Sequence, residues 1–165
     1  DGDIDLFAAL GDADSLIWYE NMNNGSIWGR HYITDIVNDP KSISARDFDN
    51  DGDIDLVSAS HHNDLLAWYE NDGLGNFNNQ QTVSNQRDWW RVYSDDVNKD
   101  GLQDIIAYSF DDETVYWFEN VNGTFGPEQQ IYDQIFGGQG LFTADMDGDG
   151  NKDLFVTGRA NSNNS

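Results

Sequence analysis

The strongest constraint on the fold is that the chain repeats itself. DGDID at Asp1 returns as DGDID at Asp51, DGLQD at Asp100 and DGNKD at Asp149, at spacings of 50, 49 and 49 residues. A second marker keeps step: IWYEN ends at Asn21, AWYEN at Asn71 and YWFEN at Asn120. From loop glycine to tryptophan the separation is 16 residues each time, Gly2 to Trp18, Gly52 to Trp68 and Gly101 to Trp117. A turn follows each marker, NNGSIW at Asn23, GLGNF at Gly73 and VNGTF at Val121. Two markers held in register over such a period describe a supersecondary unit that must stack on copies of itself to cover its apolar faces.

Each unit reads as four short strands. In the second unit these are SISARDF (Ser42–Phe48), DLVSAS (Asp55–Ser60), LLAWYEN (Leu65–Asn71) and the more polar FNNQQTV (Phe77–Val83). The turn clusters DNDG, HHND and DGLGN separate them. The most polar strand is expected outermost, and Pro40 and Pro127 are expected between strands. Four strands per unit in tandem is the pattern of β-propeller blades; a β-solenoid, with shorter repeats as a rule, is the alternative. The expected fold class is therefore all-β, with β-propeller blades of four antiparallel strands, about three of them. They form one module over residues 1–165, divided at 1–50, 51–99, 100–148 and a partial unit 149–165. The Trp-Tyr pairs supply flat burial where blades meet. The first unit lacks its inner strand and the last stops after its second, which predicts thirteen strands. Three blades are few for closing a flat ring. The chain is therefore expected to be a segment of a longer propeller, with a symmetric dimer as the lesser alternative.

The repeated acidic turn carries the chemistry. Its second copy is Asp47, Asp49, Asp51, Gly52, Asp53 and Asp55; its third is Asp96, Asn98, Asp100, Gly101, Leu102 and Asp104; its fourth is Asp145, Asp147, Asp149, Gly150, Asn151 and Asp153. Like charges ~4 Å apart repel by about 1 kcal/mol even in water, so something positive is expected among them. Oxygen ligands at positions 1, 3 and 5, then a glycine for the sharp turn, describe a loop wrapped round a hard cation. Position 7 varies (Asp53, Leu102, Asn151), as a backbone carbonyl ligand allows, and position 9 is always aspartate. An EF-hand needs glutamate at position 12 followed by a helix; here position 12 is Ser58, Ala107 or Val156 in a strand. Oxygen ligands without histidine or cysteine favour Ca²⁺ over zinc or copper, and the carboxylate count favours it over Mg²⁺. About three Ca²⁺ sites are expected.

DFDNDGDIDLVSA followed by WYEND and GNF resembles the FG-GAP/VCBS-type repeat, the blade of integrin-α-like propellers common in bacterial secreted proteins. The resemblance covers nearly the whole chain. It implies a Ca²⁺-stabilised propeller, typically of about six to eight blades, and an extracellular or cell-surface place, secreted from a bacterium. It implies little about activity: such propellers serve adhesion, glycan binding, or as appendages beside a catalytic domain, and one fold hosts many functions.

Charge narrows the partners. The chain carries 31 acidic and 8 basic residues, a formal net charge of -23. Nucleic acid and anionic membrane surfaces need a basic face and are not expected. No apolar run approaches the ~20 residues of a membrane span, so no membrane insertion is expected. Cysteine is absent, so disulfides play no part.

Comparing units separates scaffold from decoration. The lead-in to the inner strand varies: Asp39-Pro40-Lys41-Ser42, Asp88-Trp89-Trp90-Arg91, Gly137-Gly138-Gln139-Gly140. Trp89 and Trp90, flanked by Arg87, Asp88 and Arg91, could stack on a sugar and bond its hydroxyls; packing between blades is the other reading. His61 and His62 read as a surface turn, and Arg30 and His31 as part of an exposed strand. Glu20, Glu70 and Glu119 recur in every unit, which favours a structural role, such as tying a strand end to a neighbouring N–H, over catalysis. NGS at Asn24 and NGT at Asn122 match a glycosylation acceptor but read first as hairpin turns. No catalytic motif stands out. Three functions are expected in descending order: a non-enzymatic recognition or adhesion module for glycan or extracellular protein, a structural spacer, and the propeller of a polysaccharide-active enzyme.

Overall fold

A computed structural model describes residues 3–77 and 80–159. Its thirteen strands form four antiparallel meanders of three, four, four and two strands. The first sheet is β1 (Leu6–Leu10), β2 (Ser15–Met22) and β3 (Ile27–Thr34). The second is β4 (Pro40–Arg46), β5 (Asp55–Ser60), β6 (Leu65–Tyr69) and β7 (Gln81–Ser84). The third is β8 (Trp89–Asp95), β9 (Asp104–Ser109), β10 (Thr114–Phe118) and β11 (Gln129–Tyr132); the fourth is β12 (Gly140–Ala144) with β13 (Asp153–Thr157). Within each sheet, neighbours in sequence are neighbours in space. The all-β fold of four-stranded blades is thus as the repeat required. The Asp1-Gly2 start of the first motif, Asn78 and Asn79 of the expected fourth strand, and the NSNNS tail lie outside the described residues.

Central strands are buried on both faces, and their alternation assigns each face to one neighbour. All six residues of β5 and all six of β9 are buried. From the second sheet, Leu56, Leu65, Ala67 and Tyr69 pack with Leu16 and Val37 of the preceding unit. Val57, Ala59, Leu66 and Trp68 pack with Trp89, Ile105, Ala107 and Phe118 of the following one. The third sheet repeats this: Ile106, Tyr108 and Val115 turn to Leu141, Leu154 and Val156 of the fourth. Trp68 and Tyr69, adjacent in sequence, therefore serve opposite interfaces, as the period of two dictates. The outer strands β3, β7 and β11 are mostly exposed.

The inner strands lie side by side. Ser42 Oγ accepts from Val92 N–H (3.2 Å) and donates to Val92 O (3.3 Å), joining β4 to β8. Bulges recur at fixed places: the β2–β3, β6–β7 and β10–β11 pairings slip after Leu16, Leu66 and Val115. The inner pairings slip at Pro40/Ser42 and Trp89/Arg91. Pro40, expected between strands, is instead the first residue of β4, a position where a missing N–H is tolerated. The fourth strand is also shifted, to Gln81–Ser84, because Phe77 is held in a bridge opposite Asn71 as part of the preceding turn.

A close approach repeats between units. A Cβ on Gly75 would lie 2.8 Å from the Trp18 ring, and one on Gly123 3.4 Å from Trp68. Both glycines have positive φ (78° and 75°). Trp18 and Trp68 thus each sit beneath a turn glycine of the next unit.

Candidate functional site

The antiparallel register puts the acidic turns, between the first and second strands of each unit, at one end of the sheets. The His61–Asp64 turn and the strand lead-ins lie at the other, since Arg46 pairs with Asp55 and Pro40 with Ser60.

The three complete acidic turns share one hydrogen-bond plan. The N–H of position 6 donates to position 1: Gly52 to Asp47 (3.1 Å), Gly101 to Asp96 (3.0 Å), Gly150 to Asp145 (2.9 Å). Position 5 donates to position 3: Asp51 to Asp49 (3.2 Å), Asp100 to Asn98 (3.1 Å), Asp149 to Asp147 (3.1 Å). Position 7 donates to position 5: Asp53 to Asp51 (2.9 Å), Leu102 to Asp100 (2.8 Å), Asn151 to Asp149 (2.6 Å). Each turn also needs left-handed backbone at position 4 (Asn50, Lys99, Gly148) and position 6 (Gly52, Gly101, Gly150). Space around Gly52 and Gly101 is open; it is φ of 98° and 91° that favours glycine there.

Position 9 latches the turn. Asp55 accepts from Phe48 N–H (3.1 Å) and Asn71 N–H (2.8 Å). Asp104 accepts from Val97 N–H (3.2 Å) and Asn120 N–H (2.8 Å), and Asp153 from Met146 N–H (2.9 Å). Backbone amides thus hold many of the carboxylate oxygens in place, and lone pairs remain for an ion.

Electrostatics favour a positive charge. One ligand atom each from Asp47, Asp49 and Asp55 lies within 4.8 Å of the others, and the same holds for Asp145, Asp147 and Asp153. In the third turn Asn98 replaces the middle carboxylate; its amide donates to Asp100 (3.0 Å) and Glu119 (3.1 Å). Asp47 Oδ1 is buried without a hydrogen-bond partner, an orphan that a cation would satisfy. Burial pushes Asp55 up to about 6, against the pull of the Asn71 and Phe48 amides. Asp49 is raised by burial, with Asp51, Glu70 and Asp47 adding repulsion, and burial raises Asp104. An all-oxygen donor set of this charge fits Ca²⁺.

The aromatic lead-in is a different matter. Trp89 is fully buried, edge-on to Tyr116 (5.8 Å) and Phe118 (5.6 Å), so it has no face for a sugar. Trp90 is the extra residue of a bulge and stacks on Phe110 at 4.7 Å, with Lys41 Nζ 4.9 Å from its centroid. Arg91 spends its guanidinium on carbonyls of three units: Lys41 O (3.4 Å), Trp90 O (2.9 Å) and Gln139 O (2.7 Å). Trp89, Trp90 and Arg91, expected as a possible sugar site, make these contacts between blades, the packing alternative for the tryptophan pair. Arg87 likewise forks onto Glu128 (2.7 and 3.2 Å) and also pairs with Asp112.

An asparagine stands beside each recurrent glutamate. Glu20 instead pairs with His31 (3.0 Å), and the tying role falls to Asn21, Asn71 and Asn120. Their N–H groups donate to Asp5, Asp55 and Asp104, each at 2.8 Å. Asn120 Nδ2 also donates to Gln103 O (2.9 Å) and, across to the second sheet, to Phe48 O (2.7 Å). The signal was present, since Asn ends all three copies of the marker.

At the acidic end a cleft of about 740 Å³ opens between the first and second sheets, lined by Phe7, Trp18 and Phe77 beside Asp5, Glu20 and Asp53. No helix among the described residues is long and apolar enough to cross a membrane. A family model described as an FG-GAP-like repeat matches the chain three times, over residues 1–58, 47–107 and 96–156. No curated protein matches the chain.

Proposed function

The chain belongs to the FG-GAP-like repeat family, and on that premise we propose that it is a calcium-stabilised, non-catalytic propeller module of an extracellular or cell-surface protein, serving recognition or adhesion. The observation that carries the calcium reading is the orphaned Asp47 Oδ1 within a carboxylate cluster whose hydrogen-bond plan recurs in every complete turn. Asp47, Asp49, Asp51 and Asp55, with the Asp53 carbonyl, would hold one ion. The equivalent sets are Asp96, Asn98, Asp100, Leu102 and Asp104, and Asp145, Asp147, Asp149, Asn151 and Asp153. The ion would supply charge neutralisation and lock the hairpin. Three ions add six positive charges, taking the formal net charge from -23 to -17. Extracellular modules bind calcium at ~10⁻⁴–10⁻³ M, which suits a calcium-rich exterior.

Recognition rests on the cleft between the first and second sheets, where apolar ring edges could pack against a sugar and carboxylates accept hydrogen bonds from its hydroxyls. Absence of catalysis is supported by the repetition of the acidic positions, which places the same groups in every unit.

Calcium titration of chelator-stripped protein tests the first part. About three equivalents should bind, and a concentration of 100 Kd should stabilise by about 2.7 kcal/mol per site. Asp51→Ala should remove one equivalent. Equal melting temperatures in EDTA and in calcium would refute it. A glycan array run in calcium tests the second part, with Trp18→Ala as the internal check; undiminished glycan binding by that variant would remove the cleft.

A further inference from the structure

We propose that Asp39, His61 and His62 form a second kind of metal site, for a borderline divalent cation of the zinc class, at the end of the sheets opposite the acidic turns. One ligand atom from each residue lies within 4.8 Å of the other two. Tetrahedral zinc with bonds of about 2.0–2.1 Å sets its ligand atoms about 3.4 Å apart, so the three side chains would close on the ion as it binds. His62 Nδ1 is already 3.6 Å from Asp39 Oδ2. The His61 and His62 rings lie 4.4 Å apart, tilted by 35°. Two imidazoles and one carboxylate select zinc-like ions over calcium.

The surroundings are those of a built site. His61 Nδ1 is hydrogen-bonded to Asp88 at the lead-in to the third sheet, which leaves Nε2 as the nitrogen able to ligate. A carboxylate holding the far nitrogen is the usual support of a ligating histidine. The two ligand-bearing segments are pinned together by backbone: His61 N–H donates to Asp39 O (3.2 Å) and His62 N–H to Asn38 O (3.4 Å). Asp39 N–H in turn donates to Asp14 Oδ1 (2.8 Å) of the preceding unit. Asp39 is itself left-handed, at φ 51°.

Comparison of units shows that the scaffold does not require these histidines. The equivalent turns are Gly11–Asp14 and Phe110–Glu113, each ending like Asp64 in a left-handed residue. Asp39 and Asp88 occupy the same place, each against the turn of the unit before. Asp88 meets His61 there, whereas Asp39 meets Gly11, where a Cβ would come within 2.6 Å of Asp39 Oδ1. Glycine at that point leaves the Asp39 carboxylate available to His62 of its own unit. Three protein ligands leave a fourth position open to water or to an outside donor, the pattern of an open rather than a closed zinc site.

One group opposes the ion. Lys41 Nζ lies 2.7 Å from Asp39 Oδ1, engaging the oxygen other than the one facing His62. Its charge weakens cation binding and makes the proposal testable in both directions.

The test uses the untagged full chain with its acidic turns saturated by millimolar calcium. Zn²⁺ is titrated against a chromophoric chelator, and Co²⁺ is added separately to read coordination from its visible bands. One Zn²⁺ per chain should be retained in excess calcium. His62→Ala and Asp39→Asn should abolish it, Asp88→Asn should weaken it about 10–100-fold by freeing His61, and Lys41→Gln should tighten it. His31→Gln, which alters the remaining histidine, should change nothing. Unchanged melting temperature in calcium shows that a variant has kept its fold; His62 is exposed, so its variant is the safest. No zinc retained in excess calcium, or retention unchanged in a His61→Ala, His62→Ala double variant, overturns the proposal.

Discussion

Asn120 and Asn71 occupy the same place in the repeat, yet the structure assigns them different weights. Asn120 is fully buried. Its side chain donates to Phe48 O (2.7 Å) and Gln103 O (2.9 Å) and accepts from Gly123 N–H (2.9 Å). Asn120→Ala removes three bonds at about 0.5–1.5 kcal/mol each, roughly 3 kcal/mol, and the carbonyl of buried Phe48 left without a donor moves the cost toward ~4 kcal/mol. Asn71 is half-buried, and its contacts to Ile54 O, Gly73 N–H and Gly75 N–H are 3.1–3.2 Å and confined to its own sheet. Water can replace them, so Asn71→Ala should cost only about 1 kcal/mol. Urea unfolding in saturating calcium, with equal slopes as the check that one transition is being compared, should separate the two by about 2–3 kcal/mol. A difference under ~0.5 kcal/mol would refute the reasoning, because the cross-sheet bond to Phe48 would then carry nothing.

Three further outcomes follow from the packing. Gly52→Ala should cost about 1–2 kcal/mol for its positive φ alone, and Gly75→Ala should cost more because its Cβ would also strike Trp18; equal melting temperatures would contradict the Trp18 contact. Trp89→Ala should destabilise by about 3–5 kcal/mol as a core truncation, and a variant as stable as the parent would return Trp89 to candidacy as a surface ligand. Burial pushes the phenols of Tyr69 and Tyr116 up to about 12, so the folded chain holds protons there that the unfolded chain releases near pH ~10. Their contribution is intact below pH ~10 and is lost as pH rises from ~10 to ~12, on the order of 2–3 kcal/mol for Tyr69 and less for Tyr116, whose hydroxyl is better solvated. Absorbance titration should show the buried phenols, Tyr108 among them, ionising above the exposed ones, and all seven tyrosines titrating near ~10 in folded protein would refute this.

Much of the architecture was legible because the repeat supplies several readings of each element. DLVSAS is β5 residue for residue, since an apolar run between two turn clusters has little choice. The seventh strand was misplaced because Phe77 is apolar and suits a strand, yet it is held opposite Asn71 by the turn before. The acidic turn could be read from spacing alone, although spacing did not reveal that amides already hold its carboxylates. Trp89 and Arg91 were ambiguous for a definite reason. Their neighbours lie in other units, and Arg91 bonds Lys41 and Gln139 at separations of 50 and 48 residues. A local pattern does not tell a side chain aimed at solvent from one aimed at a copy of its own strand. The His61–Asp39 arrangement was hidden similarly, by a carboxylate more than twenty residues upstream.

The placement of Trp18 and Trp68, the marker tryptophans of the first and second units, beneath a glycine of the following unit gives the array a head and a tail. Duplicating or deleting one whole period in the gene therefore keeps the tryptophan–glycine contact at each junction, whereas adding or losing a few residues within a period disturbs two junctions at once. Lineages of such chains should therefore differ in length by steps of about one unit, as expected where stability is a sum over neighbouring repeats.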